Sequence, residues 1–196
     1  IESGGAINLS GKNCPDNARP ACEQGNNLTI SANVVNATGH ILLRGGISAG
    51  TTAAVGSGGS LFLNASNLYV LGIIDTSGGN RDDDANAFDG RNAGSIRINA
   101  SNLVNITGKL LANGGDADSN SCNVGNLQGT RGAGGIITIS ASNVDITGNL
   151  SVARGDWGGC NDGNGGNITI NATNVLSITN NTRTSQLFFD GNRPGS

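Results

Sequence analysis

Apolar and polar residues alternate with a period of two along several short stretches of the chain. Ile96 and Ile98 alternate with Arg97 and Asn99, and the same pattern runs through residues 144–152. Because successive side chains of a strand point to opposite faces, this period predicts strands with one buried face. Neither end of the chain shows an amphipathic helical pattern. The alternation therefore predicts an all-β protein.

The alternating stretches belong to an internal repeat of about 21 residues. Its consensus is Gly-Gly-x-Ile-x-Ile-x-Ala-Ser-Asn-Val-x-Ile-x-Gly-x-Leu-x-x-x-Gly-Gly. The marker asparagines of successive copies are 35, 41 and 31 residues apart, so loops between copies absorb the variation in length. The four clear copies span residues 58–79, 93–115, 134–155 and 165–184. A degenerate copy spans residues 26–46, and a fragment of a copy spans residues 4–11.

Stacked copies of this unit predict a right-handed parallel β-solenoid of about five to six rungs, each with three short strands. The strands are expected to meet at corners formed by Ala-Ser-Asn and by Thr-Gly or Leu-Gly. We interpret residues 1–196 as one domain, in which 26–184 are the repeats. Residues 4–25 are then a partial first rung with a loop, and 185–196 a tail that caps the last rung or exchanges with a neighbour. A β-sandwich with coincidental repeats is the alternative.

In-register stacking of the copies predicts columns of equivalent side chains that run along the solenoid. Two inward columns are aliphatic, one corner column forms an amide ladder, and one outward column is mixed. The mixed column interrupts the regular threonine array that an ice-binding face needs. The two inward columns are Leu61, Ile96, Ile137 and Ile168, and Leu63, Ile98, Ile139 and Ile170. The amide ladder is Asn67, Asn102, Asn143 and Asn174. The mixed outward column is Thr29, Phe62, Arg97, Thr138 and Thr169.

The runs GSIRINASNLVNITG, GGIITISASNVDITG and GGNITINATNV resemble the repeats of filamentous-haemagglutinin-type and related β-helical surface proteins of microbes. The resemblance covers residues 26–184. It implies a secreted right-handed β-helix used for adhesion or surface coating, and it implies no particular enzymatic activity. Members of that family are usually much longer than this chain.

Composition and charge disfavour several classes of protein. The chain has 33 Gly and 29 Asn, which disfavours a helical bundle because both residues are poor helix formers. The net charge is −3 and the arginines are scattered, so we expect no nucleic-acid partner. No run approaches the roughly 20 apolar residues of a transmembrane helix, so we expect no membrane span.

Four cysteines, Cys14, Cys22, Cys122 and Cys160, predict two disulfides and an extracellular or cell-surface location. Three connectivities are possible. Cys122 and Cys160 lie in successive loops that leave the rung at one corner, which favours Cys122–Cys160 and leaves Cys14–Cys22; free thiols at the former pair are the alternative. No Cys-x-x-Cys pair is present and His40, the only histidine, is interpreted as an outward strand residue, so zinc is disfavoured. Without an initial Met or signal peptide, the chain is interpreted as a processed mature form.

The long insertions, residues 47–57, 80–93, 116–133 and 156–164, are predicted to gather on one side of the solenoid. Their acidic residues offer hard oxygen ligands for Ca²⁺, although Ser121 and Leu127 replace the Gly and Glu of a calcium loop, and a solvated loop is the alternative. The calcium candidates are Asp82, Asp84, Asp116, Asp118 and Asn120. Glycosylation of a secreted protein would use Asn-X-Ser/Thr sequons. Ten are present, at Asn8, Asn27, Asn36, Asn64, Asn99, Asn105, Asn149, Asn167, Asn171 and Asn180.

The ends of a solenoid expose unpaired backbone and apolar stacks, and monomeric solenoids cap them. Neither end shows an amphipathic helical cap, and the assembly candidates at the ends are Ile1, Ile7, Leu187, Phe188 and Phe189. The leading hypothesis is therefore a structural subunit of an extracellular self-assembling fibre, sheath or surface coat, with identical subunits as partners. An adhesin or carbohydrate-binding module that uses the loop face is the alternative. A glycan-active enzyme is disfavoured because no catalytic residues stand out, and no cofactor other than Ca²⁺ is expected.

Overall fold

The computed structural model describes residues 4–14, 22–48, 55–80, 90–117, 130–155 and 163–179. Within these ranges the chain forms ten β-strands and no helix. The strands are β1 (Ile7–Asn8), β2 (Leu28–Ala37), β3 (Ile41–Leu42), β4 (Leu61–Val70), β5 (Ile73–Asp75), β6 (Ser95–Ile106), β7 (Lys109–Leu111), β8 (Ile136–Ile146), β9 (Asn149–Ser151) and β10 (Asn167–Ile178).

The strands form two parallel sheets, and the chain alternates between them. The long sheet has the order β10-β8-β6-β4-β2, and the short sheet has the order β1-β3-β5-β7-β9. The long strands β2, β4, β6 and β8 are each followed by a short one, so β2 to β9 make four complete turns, with a described half turn at either end. The predicted parallel β-solenoid is confirmed, with about four turns in place of the predicted five to six.

Each described turn contains two strands, where the sequence suggested three. The Ala-Ser-Asn segment, predicted as a corner, lies inside the long strand and produces only a shift of register, between Ala65 and Asn67 in β4 and between Ala172 and Val175 in β10. A bulge of this kind absorbs an extra residue while strand pairing continues on both sides. The expected first and second strands are therefore one strand of 10 to 12 residues.

The predicted inward columns are confirmed. Leu61 pairs with Ile96 and Ile96 with Ile137, and the column of Leu63 follows the same register. Both columns continue to Ile168 and Ile170 in β10. The central members are fully buried and form one continuous core, because each turn covers the aliphatic side chains of the turn before it. The outward column that contains Phe62 and Arg97 is confirmed by the same pairing.

The beginning and the end of each turn meet along one line, which we call the seam. Here extended, glycine-rich segments are joined by backbone hydrogen bonds outside the strands. The N–H of Gly46 donates to the carbonyl of Glu23 at 2.9 Å, and the N–H of Gly56 donates to the carbonyl of Gly46 at 2.9 Å. Ends and beginnings of turns therefore interleave along the axis. The seam comprises Lys12, Glu23, Gly46, Gly56, Gly79, Arg91, Gly115, Gly132 and Gly155.

Glycine is required in the seam because backbone stacks directly on backbone. A Cβ added to Gly115 would overlap the carbonyl oxygen of Gly79 in the previous turn, and a Cβ on Gly155 would overlap that of Gly115. The corner between the long and short strands repeats this arrangement, since a Cβ on Gly108 would overlap the carbonyl oxygen of Gly72. Successive turns are only about 4.8 Å apart, which leaves no room for a side chain along the axis.

The predicted loops 47–57, 80–93, 116–133 and 156–164 all have described flanks beside the seam. Chain segments therefore leave and re-enter the solenoid on the same side, as the repeat spacing predicted. The middle parts of these loops lie outside the described residues.

Candidate functional site

A polar cleft opens beside the seam, next to the flanks of the loops. Its volume is about 320 Å³. The residues that carry its chemistry are Arg44, Asp75, Asn80, Asn113, Asp116 and Arg154. We call this region the seam cleft. Because successive turns contribute its walls, the spacing of its polar groups is fixed by the stacking of the solenoid.

The floor of the seam cleft is held by an ion pair. The Arg44 Nε donates to Asp75 Oδ2 at 2.6 Å, and the backbone N–H of Ser77 donates to Asp75 Oδ1 at 2.9 Å. The Asp75 side chain is only 4% exposed, whereas that of Arg44 is 50% exposed. The buried carboxylate therefore anchors a guanidinium that still presents part of its surface to solvent, where it offers hydrogen-bond donors to a ligand.

A second polar group fixes the neighbouring wall. Asn113 Oδ1 accepts hydrogen bonds from Ser151 Oγ at 2.7 Å and from the backbone N–H of Ala153 at 2.9 Å. These bonds connect consecutive turns and orient the amide. Among the described residues, the cleft therefore offers oriented hydrogen-bonding groups suited to binding a polar molecule, and Asp75 is committed to its two donors.

Neither Arg44 nor Asp75 was selected from the sequence. Asp75 occupies the same short-sheet column as Leu42, Leu111 and Ser151. Asn8 also belongs to this column, so three of its five members are polar and a carboxylate does not stand out there. It was missed because the short strands are only two or three residues long and their register is not evident from alternation.

The predicted asparagine ladder forms on the surface of the long sheet, with one departure. Asn102 Nδ2 donates to Asn67 Oδ1 at 2.7 Å, and Asn174 Nδ2 donates to Asn143 Oδ1 at 2.8 Å. The middle step differs, because Asn143 Nδ2 donates to the backbone carbonyl of Asn102 at 3.3 Å. The two amides of this step do not meet head to tail, although the strand pairing is shifted in register at all three steps of the ladder.

The C-terminal edge of the long sheet is apolar and open among the described residues. Strand β10 is the last in its sheet, and no described strand pairs with its outer edge. Leu176 is 46% exposed and its neighbour Val175 is 53% exposed. In the preceding turn, Val144, which pairs with Leu176, is only 1% exposed. At Leu176 the final turn thus exposes an apolar position that every inner turn buries.

The opposite edge, β2, is better covered. Val35 is 2% exposed although it occupies the same column as Leu176, and Ile7 and Leu9 pack against the core at this end. One apolar residue remains outside, since Val34 is 40% exposed. The two ends of the described solenoid are therefore different, with the larger apolar exposure at β10.

The predicted Cys14–Cys22 disulfide is formed, with Cα atoms 5.1 Å apart. It ties the end of the opening half turn to the beginning of the first complete turn. Cys14 also pairs with Ser48 in an isolated parallel bridge, so the disulfide is anchored to the next turn. The predicted partners Cys122 and Cys160 lie outside the described residues.

We expect that replacing Cys14 and Cys22 together by Ser lowers the free energy of unfolding by about 2.5 kcal/mol, the entropy of closing a loop of this length. Urea denaturation of the double variant against the parent checks the value. The parent in reducing agent should lose at least as much, because reduction also opens the predicted Cys122–Cys160 bond. A double variant as stable as the parent would contradict a stabilising role for the bridge.

Other predicted site residues fall in several environments. Asp116 lines the seam cleft, and His40 is exposed at the corner before β3, not within a strand, where its Nδ1 accepts the N–H of Ile73 at 3.3 Å. Of the sequon asparagines, Asn64 and Asn99 are exposed on the long sheet, 3.4 Å apart through their amides. The candidates outside the described residues are Ile1, Asp82, Asp84, Asp118, Asn120, Asn180, Leu187, Phe188 and Phe189.

The remaining sequons are all on described residues. Asn8, Asn27 and Asn167 are exposed, whereas Asn36, Asn105 and Asn149 are half-buried; Asn171 is exposed on β10. Exposure makes an asparagine accessible but does not show that it is modified. Among the described residues no group of three or more His, Cys, Asp or Glu side chains is arranged to hold a metal ion.

No family model, curated protein or solved structure matches this chain. The resemblance to filamentous-haemagglutinin-type repeats therefore stays a prediction. The part of the chain that the structure describes has no helix of the length and hydrophobicity needed to cross a membrane.

Proposed function

We propose that this protein is a structural subunit of an extracellular fibre, sheath or surface coat that assembles through the ends of the solenoid. The observation that carries the proposal is the exposed apolar edge at β10, where Val175 and Leu176 are about half exposed. Identical subunits are the proposed partners, and the proposal includes no catalytic activity. Exchange of a terminal segment between subunits is a variant of the same assembly.

The physical argument rests on the cost of an open edge. An unpaired parallel strand presents free backbone groups, and proteins that stay monomeric usually protect such edges with charge, proline or a covering element. The described strand β10 contains no charged residue and no proline. Its exposed surface combines unpaired backbone with aliphatic side chains, which favours pairing with another chain.

An extracellular setting is supported by the Cys14–Cys22 disulfide, because such bonds persist in oxidising compartments. The polar outer face of the long sheet, rich in Asn, Ser and Thr, suits a surface that faces water along its whole length. One continuous aliphatic core runs through the described turns, which suits a scaffold.

The test is the assembly state of the purified full chain, measured by light scattering and electron microscopy over a range of concentrations. We expect polymers, and we expect a Val175→Lys/Leu176→Lys double variant to shorten or abolish them, because charge on an edge opposes pairing. Phe62→Lys is the matched control, since Phe62 is 38% exposed on the outward face of β4, away from the edge. A chain that stays monomeric at every concentration would overturn the proposal.

A second candidate function is a carbohydrate-binding or adhesive module on the loop side, and the seam cleft is the observation that favours it. Its partly exposed Arg44 and oriented amides are groups that bind sugar hydroxyls or carboxylates. A glycan array probed with the parent chain, with Arg44→Leu and with the exposed-face control Arg97→Leu tests this function. Binding lost only in Arg44→Leu would support it, and equal binding by all three would exclude the cleft.

A further inference from the structure

The described solenoid starts with a half turn in the short sheet and stops with a half turn in the long sheet, so the two half turns together would make one complete turn. Among the described residues the first strand is β1, in the short sheet, and the last is β10, in the long sheet, so each sheet holds five described strands. The strand that would follow β10 belongs in the short sheet beside β9, and β1 of another copy is such a strand. Its β2 would then fall beside β10.

The side chains at the two edges occupy the same columns. Ile168 and Ile170 of β10 belong to the columns that begin with Leu28 and Ile30 of β2. Docking β10 on the β2 of a second copy would therefore place aliphatic side chains on aliphatic side chains, as between β8 and β10 within the chain. In the short sheet, Ile7 would follow Leu150 in the same way.

The exposed valines give a second, independent match. Val34 of β2 pairs with Asn67 of β4, and this column continues through Leu103 and Asn143 to Val175 of β10. Both terminal members are exposed, at 40% and 53%, and both are Val. The column thus has an apolar residue at each edge, and head-to-tail docking would cover one with the other.

The backbone donors at the edges also match. The N–H of Leu28 donates to the carbonyl of Ser60 in the following turn at 2.9 Å, whereas the N–H of Asn167 donates back to Gly135 at 3.1 Å. Ile168 is in the column of Leu28, so its N–H points to the outer edge of β10. In a docked copy, the carbonyl of Asn27 would face the N–H of Ile168, as the carbonyl of Ser60 faces the N–H of Leu28 within the chain.

We propose that a second copy of this chain docks head to tail, with its β2 paired in parallel to β10 and its β1 beside β9, so that the solenoid continues in register. This inference rests on the proposed function and specifies its contact. The contact is heterologous and does not close, because each docked copy presents a new β10 edge. It continues the turn-to-turn interface that each long strand already makes within the chain.

The test uses oxidative crosslinking between two single-cysteine additions. In the docked register Thr29 of one copy lies beside Thr169 of the other, within disulfide reach in neighbouring strands. We expect a mixture of T29C and T169C chains to give covalent dimers, with roughly tenfold higher yield than either variant alone. The out-of-register control is N36C mixed with T169C, since Asn36 lies seven residues along β2 from Thr29.

The outcomes separate the register from the assembly itself. Crosslinking of the T29C and T169C mixture alone supports the docking. Polymers that form without this crosslink, or that crosslink through N36C, overturn the register and leave the proposed function standing. Thr173 lies near the middle of β10, so covalent dimers from a T173C variant alone would show antiparallel pairing of β10 with itself and also overturn the docking. The absence of any polymer in the parent chain overturns the proposed function and the docking together.

Discussion

Gly115→Ala is expected to lower the free energy of unfolding by about 3 kcal/mol, although only one methyl group is added. Gly115 lies in the seam, where its N–H donates to the carbonyl of Arg91 at 2.8 Å and its own carbonyl accepts the N–H of Gly132 at 3.0 Å. The new Cβ would overlap the carbonyl oxygen of Gly79. The atoms it meets are backbone, which cannot rotate away as a side chain does.

The loss should exceed that of an ordinary surface change because the seam connects several turns. To relieve the overlap, the turn that ends at Gly115 must separate from the turn that ends at Gly79, which strains the bonds to Arg91 and Gly132. Alanine would normally stabilise a flexible position by reducing the entropy of the unfolded chain, by about 0.4–1 kcal/mol. A net loss in the free energy of unfolding would therefore report the cost of the overlap between the new Cβ and the backbone of the folded seam.

Urea denaturation of Gly115→Ala and of a matched control, Gly4→Ala, provides the measurement. A Cβ at Gly4 meets nothing within 4 Å, so this variant should unfold at nearly the parent urea concentration. The dependence of the unfolding free energy on urea should remain unchanged in both, which would show that the same surface is exposed. Equal stability of the two variants would contradict a backbone-on-backbone seam.

The sequence predicted those features of the fold that repeat in every copy. Period-two alternation identified the inward columns of Leu61 and Leu63 correctly, because the side of a strand on which a residue lies depends only on whether its position is odd or even. The recurrence of Asn67, Asn102, Asn143 and Asn174 identified the surface column, and the Gly-Gly pairs located the seam. Each of these features is a local sequence pattern that recurs in every copy of the repeat.

Features that depend on the geometry between turns were not predicted correctly. Ala-Ser-Asn has the composition of a corner, but pairing with neighbouring strands keeps it inside a long strand, with only a shift of register after Ala65 and after Ala172. The Arg44–Asp75 pair joins residues 31 positions apart and contributes no repeat signal. Such contacts depend on the pairing register between neighbouring turns, which the alternation of apolar and polar residues along the sequence does not specify.

Ile139→Ala is expected to lower the free energy of unfolding by about 4 kcal/mol, because it leaves a cavity in the middle of the core. Ile139 is fully buried in β8, between Ile98 of the preceding turn and Ile170 of the following one. A solenoid is stabilised mainly by contacts between neighbouring turns, so a defect in an inner turn weakens two interfaces at once. Urea denaturation monitored by circular dichroism measures the loss.

The matched variant is Ile170→Ala, which removes the same atoms from the same column one turn later. Ile170 is half-buried at the open edge and has a described neighbour on one side only, so the loss in the dissociated chain should be about 1–2 kcal/mol. Similar losses for the two variants in the dissociated chain would show that the end of the column is already covered. The proposed head-to-tail docking would give Ile170 a neighbour on its other side, so in assembled material the cost of this substitution should rise toward that of Ile139→Ala. The difference between the two states of Ile170→Ala therefore measures how far assembly turns an end of the solenoid into an interior turn.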